Sequence, residues 1–580
     1  MTAMNIVFLI FLCVAVEGGV IVETNSGKVE GLEVKSIIKD EKFYSFLSIP
    51  YGKAPIGALR FKAPQPHEGW TDVLNAKKER KQCAQYYVPM RPVDEVGFCG
   101  SEDCLHLNIH TPKLPNNNEP NLPVIVFLYN EYFRITYNAS KEYGPDFFMK
   151  EDVILVTISH RVGTFGFVSF GDDLLPGNSG VKDVILALKW IQSNINKFGG
   201  NPFKITLMGQ DGGAAMVDIL LHSPKAKGLF SGAILQSGTA YSSMFFNTKP
   251  KDRALAIAEV LERKLSNSAQ FISELGSIAA PKISESELMA IHADDSRKYQ
   301  VPILANGPVV EHDHPDAVIT KRPEDSFLDV EIPIMIGYNT RESIEMMERY
   351  LRKPQYLTFA DRDFLMMFPI RVDYHFELNT NVYYEAIQQI KDFYLEEGYV
   401  KISKPGEFMT YMTDINTFYS VDYAVRRYLN ESSAQIYYYA FDYSGDLNMR
   451  KQNILKDAMI LEGTWGASIG DELCYLFVCK PIIKTYLKAL AEEDSEEIKV
   501  LKSMVRMWTN FAKTGNPTPS GEPFQWKPAA KDTKDCLMIS DELEMKTNLH
   551  EDRIKFWDDF IEKYRQIAVD GVVKGTKDEL

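Results

Sequence analysis

The stretch Gly209-Gln210-Asp211-Gly212-Gly213 stands between the apolar run "KITLMG" and the alanine-rich run "GAAMVDILLHS". A sharp glycine-flanked turn from strand to helix holds one side chain at the top of a sheet, where it can react. Here that side chain is a carboxylate. Carboxylates form covalent ester intermediates in some hydrolases, but the ester must then be released by water that a histidine activates. The histidines nearest in sequence are His160 in "SHRVG" and His222 in "LLHSP", and both are expected to be structural. Aspartate is also a strong helix N-cap, worth about 1 kcal/mol through a bond to a free backbone N–H, and its charge suits a helix N-terminus. Capping is therefore the expected role of Asp211, an ionised group with no hydroxyl proton to surrender.

These residues need a sheet to stand on. Between 123 and 238 the chain alternates β-rich apolar runs ("PVIVFLY", "DVILVTIS", "KITLMG", "GAILQSG") with helical ones ("LALKWIQSNINKF", "GAAMVDILLHS"). That alternation predicts an α/β architecture, a mostly parallel central sheet flanked by helices. The later half reads as more helical, with apolar stripes in "DRALAIAEVLERKL", "NVYYEAIQQIKDFYL" and "EDRIKFWDDFIEKY". No linker or internal repeat interrupts it, which predicts one domain over 19–565 and a tail over 566–580.

The net charge of −15 over 580 residues is spread without a basic patch, which excludes nucleic acid and anionic lipid as expected partners. An apolar run from Ile6 to Val16 is too short to span a bilayer and predicts a signal peptide over 1–18. The last residues, Lys577 to Leu580, read "KDEL", the retrieval signal of the endoplasmic reticulum. Together these predict a resident of the endoplasmic reticulum lumen that engages the KDEL receptor, and no later stretch reads as a transmembrane segment. Asn138 and Asn430 open glycosylation sequons. Nothing calls for a cofactor or metal, and "CYLFVC" (474 to 479) reads as buried thiols rather than ligands.

Four longer stretches add a resemblance: "IPYGKAPIGALRFKAPQPHEGW" (49 to 70), "GSEDCLHLNIHTP" (100 to 112), "PGNSGVKDVILALKWIQSNINKFGGNPFKITLMG" (176 to 209) and "MWTNFAKTGNPT" (507 to 518). They resemble the type-B carboxylesterase and cholinesterase family, in the style of the insect esterases. The resemblance implies an α/β-hydrolase fold with a deep apolar gorge above the sheet. It also implies a disulfide between Cys83 and Cys104, and leaves Cys99, Cys474, Cys479 and Cys536 unassigned.

The family mechanism needs a serine on the elbow, a histidine to move its proton, an acid to orient the histidine, and backbone N–H donors for the oxyanion. By the resemblance, Asp211 stands at the serine position, Ile469 at the histidine position in "GASIGDELCYLF", and Glu342 at the acid position in "IGYNTRES". Isoleucine moves no proton. Without an imidazole to orient, Glu342 is expected to be a solvated or salt-bridged carboxylate. The oxyanion loop, a His-Gly-Gly-Gly-Phe run in the family, reads "YNEYF", with Asn130 and Glu131 at positions that with Gly212 would supply the oxyanion donors. Side chains there restrict the backbone, and a carboxylate opposes the charge on an attacked carbonyl. The expectation is a pseudoenzyme that binds an apolar small molecule or a lumenal protein. The alternative is a carboxylic ester hydrolase with an unconventional mechanism or an Asp211 nucleophile.

Overall fold

Apolar runs too short for helices become the strands of one large sheet, and the segments between them fold back as helices that cover its faces. The computed structural model describes residues 17–87, 97–115, 121–137, 139–291, 293–302, 306–492 and 495–575. The apolar run Ile6–Val16, the tail Lys577–Leu580 and the sequon residue Asn138 lie outside the described residues. The main strands are β1 (Glu17–Thr24), β2 (Gly27–Lys35), β3 (Lys42–Pro50), β4 (His106–Thr111), β5 (Leu122–Asn130), β6 (Ile154–Ile158), β7 (Gly200–Asp211), β8 (Gly232–Gln236), β9 (Ile334–Asn339), β10 (Ile436–Phe441), β11 (Cys536–Ile539) and β12 (Leu543–Lys546).

Their spatial order follows the chain except for one exchange, in which β6 lies between β4 and β5. From β6 through β11 every neighbour is parallel, while the first four strands and the last form antiparallel margins. The parallel centre is covered on both faces, so its strands are buried end to end: Val124 to Leu128, Ile154 to Val156 and Ile334 to Ile336 are at most 1% exposed. Register then fixes the site, because β7 and β5 pair Asp211 with Asn130, and β7 and β8 pair Gln210 with Gln236. The residues that follow these strands therefore meet at the carboxyl edge of the sheet, where open α/β sheets place their ligands.

The helices used below are α1 (Ser179–Asn194), α2 (Gly212–Leu221), α3 (Pro250–Val260), α4 (Tyr419–Glu431), α5 (Glu496–Thr514) and α6 (Glu551–Ile567). α5 illustrates how sequence sets the bounds. Ser495 caps its start by accepting from the Ile498 N–H, Glu496 and Glu497 occupy the positive first turn, and Gly515 closes it in the left-handed conformation. Its buried face sets Trp508 against Tyr439 of β10, ring centroids 5.2 Å apart. No helix among the described residues is long and apolar enough to cross a membrane.

Two disulfides are present. Cys83 is joined to Cys104, and Cys474 to Cys479. The second corrects the reading of "CYLFVC" as buried thiols: the turn that follows Asp471–Tyr475 brings the two Cα atoms to 5.4 Å, within bridging range. Cys99 and Cys536 are free, the first half-buried and the second buried. Peptide mapping without reduction is expected to recover these two links. Under native conditions Cys99 should alkylate and Cys536 should not; labelling of Cys536 ahead of Cys99 would contradict the packing.

Candidate functional site

The elbow is built by close backbone contact. Asp211 ends β7 with φ 53° and ψ −120°, and α2 begins at the next residue. A Cβ on Gly209 would lie 2.2 Å from the Gly213 carbonyl oxygen, and one on Gly213 would lie 2.2 Å from the Leu128 carbonyl oxygen. Only glycine admits strand and helix to this approach. The strained turn belongs to the frame, and whatever stands at 211 is lifted to the same place.

Asp211 does not cap α2. Its side chain makes no capping bond to the first turn; instead its Oδ2 accepts from the Tyr132 N–H at 3.2 Å. The turn aims the carboxyl at the loop after β5 rather than back over the helix. Nor does it have an ordinary carboxylate's environment. Burial, then the Glu131 and Glu345 carboxylates, push its pKa well above the usual range, against the pull of the Tyr132 and Gly212 N–H groups. The expectation of a capping aspartate is corrected, and the surroundings push the carboxyl toward its neutral form.

The loop after β5 is closed to an oxyanion. Tyr132 and Phe133 adopt φ of 52° and 56°, so they hold the left-handed backbone that glycine would take without strain. The Tyr132 N–H is spent on Asp211, and the Phe133 N–H donates to Asn130 Oδ1 at 3.0 Å. Asn130 is fully buried with its Oδ1 against Gly212. Glu131 turns away to an ion cluster: Arg450 bonds both Glu131 and Tyr129, and reaches Glu345 at 3.1 Å.

Asp211, Glu342 and Ile469 do meet, lining one cavity with Tyr132, Phe245 and Glu345. Glu342 is buried rather than solvated, and among the described residues no salt bridge reaches it. It sits in a tight turn, where its Oε1 accepts from the Asn339 N–H at 2.7 Å. Burial first, then the Glu472 carboxylate, raise its pKa well above the ordinary value. Glu472, which accepts from Gln236 and Asn339, is itself pushed up to about 7 by burial. Glu345 also rises to about 7, through burial opposed by Arg450. The site is thus a set of buried acids whose pKa values are raised, and among the described residues no histidine or lysine lines it.

The gorge differs from expectation. The cavity over Asp211, Glu342 and Ile469 measures only about 10 Å³, near the space of one water. Outside it lies a cleft of about 910 Å³ whose walls carry Glu131, Glu142, Glu345, Glu348, Arg134 and Arg450. Tyr132 and Glu345 line both and form the partition between them. The floor over the triad positions is filled, and the cleft outside it is mixed, with Phe98, Ile135, Leu288, Met449 and Ile454 beside the charged groups.

Neither histidine considered from sequence lines these cavities. His160 is fully buried, its Nδ1 3.1 Å from the Arg161 carbonyl oxygen. His222 packs behind the sheet, its Nδ1 2.6 Å from Ser326 Oγ and its Nε2 3.2 Å from Tyr241. Ser237 is buried and binds the Gly337 carbonyl through its N–H. The sequon residue Asn430 is exposed in the last turn of α4. Sequence reasoning missed Arg450, Glu345, Glu472 and the partition formed by Tyr132. Glu472 was visible in "GDEL" and Glu345 three residues after Glu342, but nothing in the sequence pairs Arg450 with residue 131.

Sheet order, elbow and loop define a class. The chain belongs to the carboxylesterase family, whose model matches residues 19–557, and its fold is the α/β-hydrolase fold. Among its relatives, it is similar to juvenile hormone esterase of Tribolium castaneum, 31% identical over 86% of this chain and 84% of that protein. It is also similar to esterase FE4 of Myzus persicae, 30% identical over 90% of this chain and 88% of that one. Among solved structures it matches juvenile hormone esterase from Manduca sexta with OTFP covalently attached. That match has a TM-score of 0.76 and 25% identity, covering 94% of this chain and all of the other.

A buried acid whose pKa is raised on folding contributes stability that is fully present below its unfolded value, near 4, and lost as pH rises through its folded value. Asp211→Asn keeps the acceptor for the Tyr132 N–H and removes the titration. Melting of the variant is expected to match the native protein near pH 4 and to exceed it increasingly as pH rises, by about 1.4 kcal/mol for each unit of raised pKa that is passed. A variant less stable at every pH would show that Asp211 is held as a charge.

Proposed function

We propose that this chain is a member of the carboxylesterase family that does not hydrolyse esters and acts by binding. The observation that carries this reading is the bond from the Tyr132 N–H to Asp211 Oδ2. It joins the nucleophile position to the oxyanion loop, so one contact occupies two parts of the family mechanism. Ile469 removes the third, since no group at that position takes a proton from a nucleophile or returns it to a leaving group.

The reading of Asp211 as a nucleophile is weaker on the same grounds. Burial and the nearby carboxylates push the Asp211 carboxyl toward its neutral form, which attacks poorly. Any ester formed on it would need water activated by a base, and no histidine lines the cavity. Loss of triad function alone leaves about 10³ to 10⁴ over water in hydrolases whose oxyanion hole is intact. Here the Glu131, Tyr132 and Phe133 N–H groups of that loop have acceptors inside the protein, so that remainder is not expected.

What the chain binds is read from the mouth above the filled floor. Its volume suits a small molecule, and its mixed walls, carboxylates and guanidiniums beside Phe98, Leu288, Met449 and Ile454, suit an amphipathic ligand or a segment of a lumenal protein. Residence in the endoplasmic reticulum lumen, with an apolar leader removed and glycans on Asn138 and Asn430, completes the proposal. It rests on the run Ile6–Val16, the sequons and Lys577–Leu580.

The purified protein is expected to turn over p-nitrophenyl acetate no faster than a denatured control and to take no label from a fluorophosphonate. Labelling or turnover would overturn the proposal. Asp211→Ser with Ile469→His is expected to stay inactive, because Tyr132 still closes the floor. Adding Glu131→Gly and Tyr132→Gly is expected to bring fluorophosphonate labelling of residue 211. Activity in the double variant would show that the loop is not a barrier.

A further inference from the structure

A second cleft, of about 380 Å³, lies away from the triad positions, between the start of α3, the segment Tyr299–Pro302 and the stretch Arg371–His375. It shares no lining residue with the cavity over Asp211 or with the polar mouth. Its volume is in the usual range of small-molecule sites, about 300–1,000 Å³. What sets it apart is charge. In a chain of net charge −15, this wall presents Lys249, Arg253, Arg322 and Arg371, with Asp373 as its one carboxylate.

The partners of these cations leave donors for a ligand. Arg253, Arg322 and Arg371 are held by Asp295, Asp325 and Glu324, at 2.8, 2.9 and 2.6 Å, and none of those carboxylates lines the cleft. Asp373, which does, is 3.6 Å from Arg565. Arg322 meets Asp325 through Nε, leaving the outer edge of its guanidinium free of that carboxylate. Lys249 has no carboxylate partner among the described residues; its ammonium lies 2.6 Å from the Tyr299 hydroxyl and 3.9 Å from that ring's centre. The local field is positive enough to move neighbours. The hydrogen bond from Lys249 lowers the Tyr299 phenol, and burial followed by Lys249 and Lys298 lowers the His375 imidazole. The rest of the lining sets apolar and aromatic residues, Phe246, Val301, Pro302 and Tyr374, beside the polar Ser243, Asn247 and Thr248.

We propose that this cleft binds a small organic ester of a tetrahedral oxyanion, phosphate or sulfate, with its charged end at Lys249 and Arg322 and its organic body against Phe246, Val301 and Tyr374. A tetrahedral oxyanion accepts from several donors at once, which matches an ammonium held by Tyr299 at the wall and a guanidinium held from behind by Asp325. A carbon body gains from the apolar wall what a free inorganic ion cannot. This site does not depend on whether the family chemistry is retained.

Calorimetric titration of the full chain at low salt tests it, with phenyl phosphate, phenyl sulfate, inorganic phosphate and phenol as probes. Phenyl phosphate or phenyl sulfate is expected to saturate at one per chain and to weaken as salt is added. Lys249→Gln and Arg322→Gln, both at exposed positions, are expected to raise the Kd about tenfold each with melting unchanged. Whichever ester binds tighter identifies the oxyanion. The proposal is overturned if neither ester saturates the native protein, or if both variants bind like it. It is also overturned if phenol binds as well as the esters, or if inorganic phosphate binds as tightly as phenyl phosphate.

Discussion

The turn at Asp211 is the constraint on which the rest depends. Gly209 and Gly213 let strand and helix backbones touch, and with a Cβ on either one the turn could not close. That requirement is geometric and indifferent to chemistry, so it survives when the side chain at the apex changes. The consequence is that 211 stays at the carboxyl edge of a buried parallel sheet, out of water, whatever residue occupies it. A serine there is a neutral group. An aspartate there must find hydrogen bonds or take up a proton.

The surroundings follow from that demand. The loop after β5 turns the Tyr132 N–H to the Asp211 carboxyl and accepts left-handed backbone at two non-glycine residues in doing so. Arg450 draws Glu131 and Glu345 into an ion cluster at the floor of the mouth, and among the described residues no cation pairs with Asp211. Glu342 and Glu472, buried on the opposite side, are likewise pushed toward their neutral forms. Protonated acids donate as well as accept, so such a group can satisfy itself where a set of charges could not. The triad positions form a packed, buried floor, and the larger cleft lies outside it.

Much of this was legible in the sequence, and the losses have physical causes. The strands and helices from 123 to 238 followed from periodicity and flanking glycines, and family motifs located residues 211, 342 and 469. The strands β9 to β12 were hidden in a half that reads as helical, since runs such as "IYYYAF" are buried on both faces and carry no alternation. Asp211 was read as an ionised cap because propensity describes an exposed helix start, whereas the elbow points its side chain sideways into the protein. The Cys474–Cys479 link was missed because spacing alone does not reveal a turn. Arg450 was missed because it meets Glu131 across more than three hundred residues of chain.

At the apex Asp211 is a buried, hydrogen-bonded part of a closed floor, and its surroundings push the carboxyl toward the neutral form. Infrared difference spectroscopy between the native protein and Asp211→Asn at neutral pH measures this directly. The account predicts that the substitution removes a protonated carboxyl C=O band and leaves the carboxylate bands unchanged. Loss of carboxylate intensity with no change in the protonated band would contradict it.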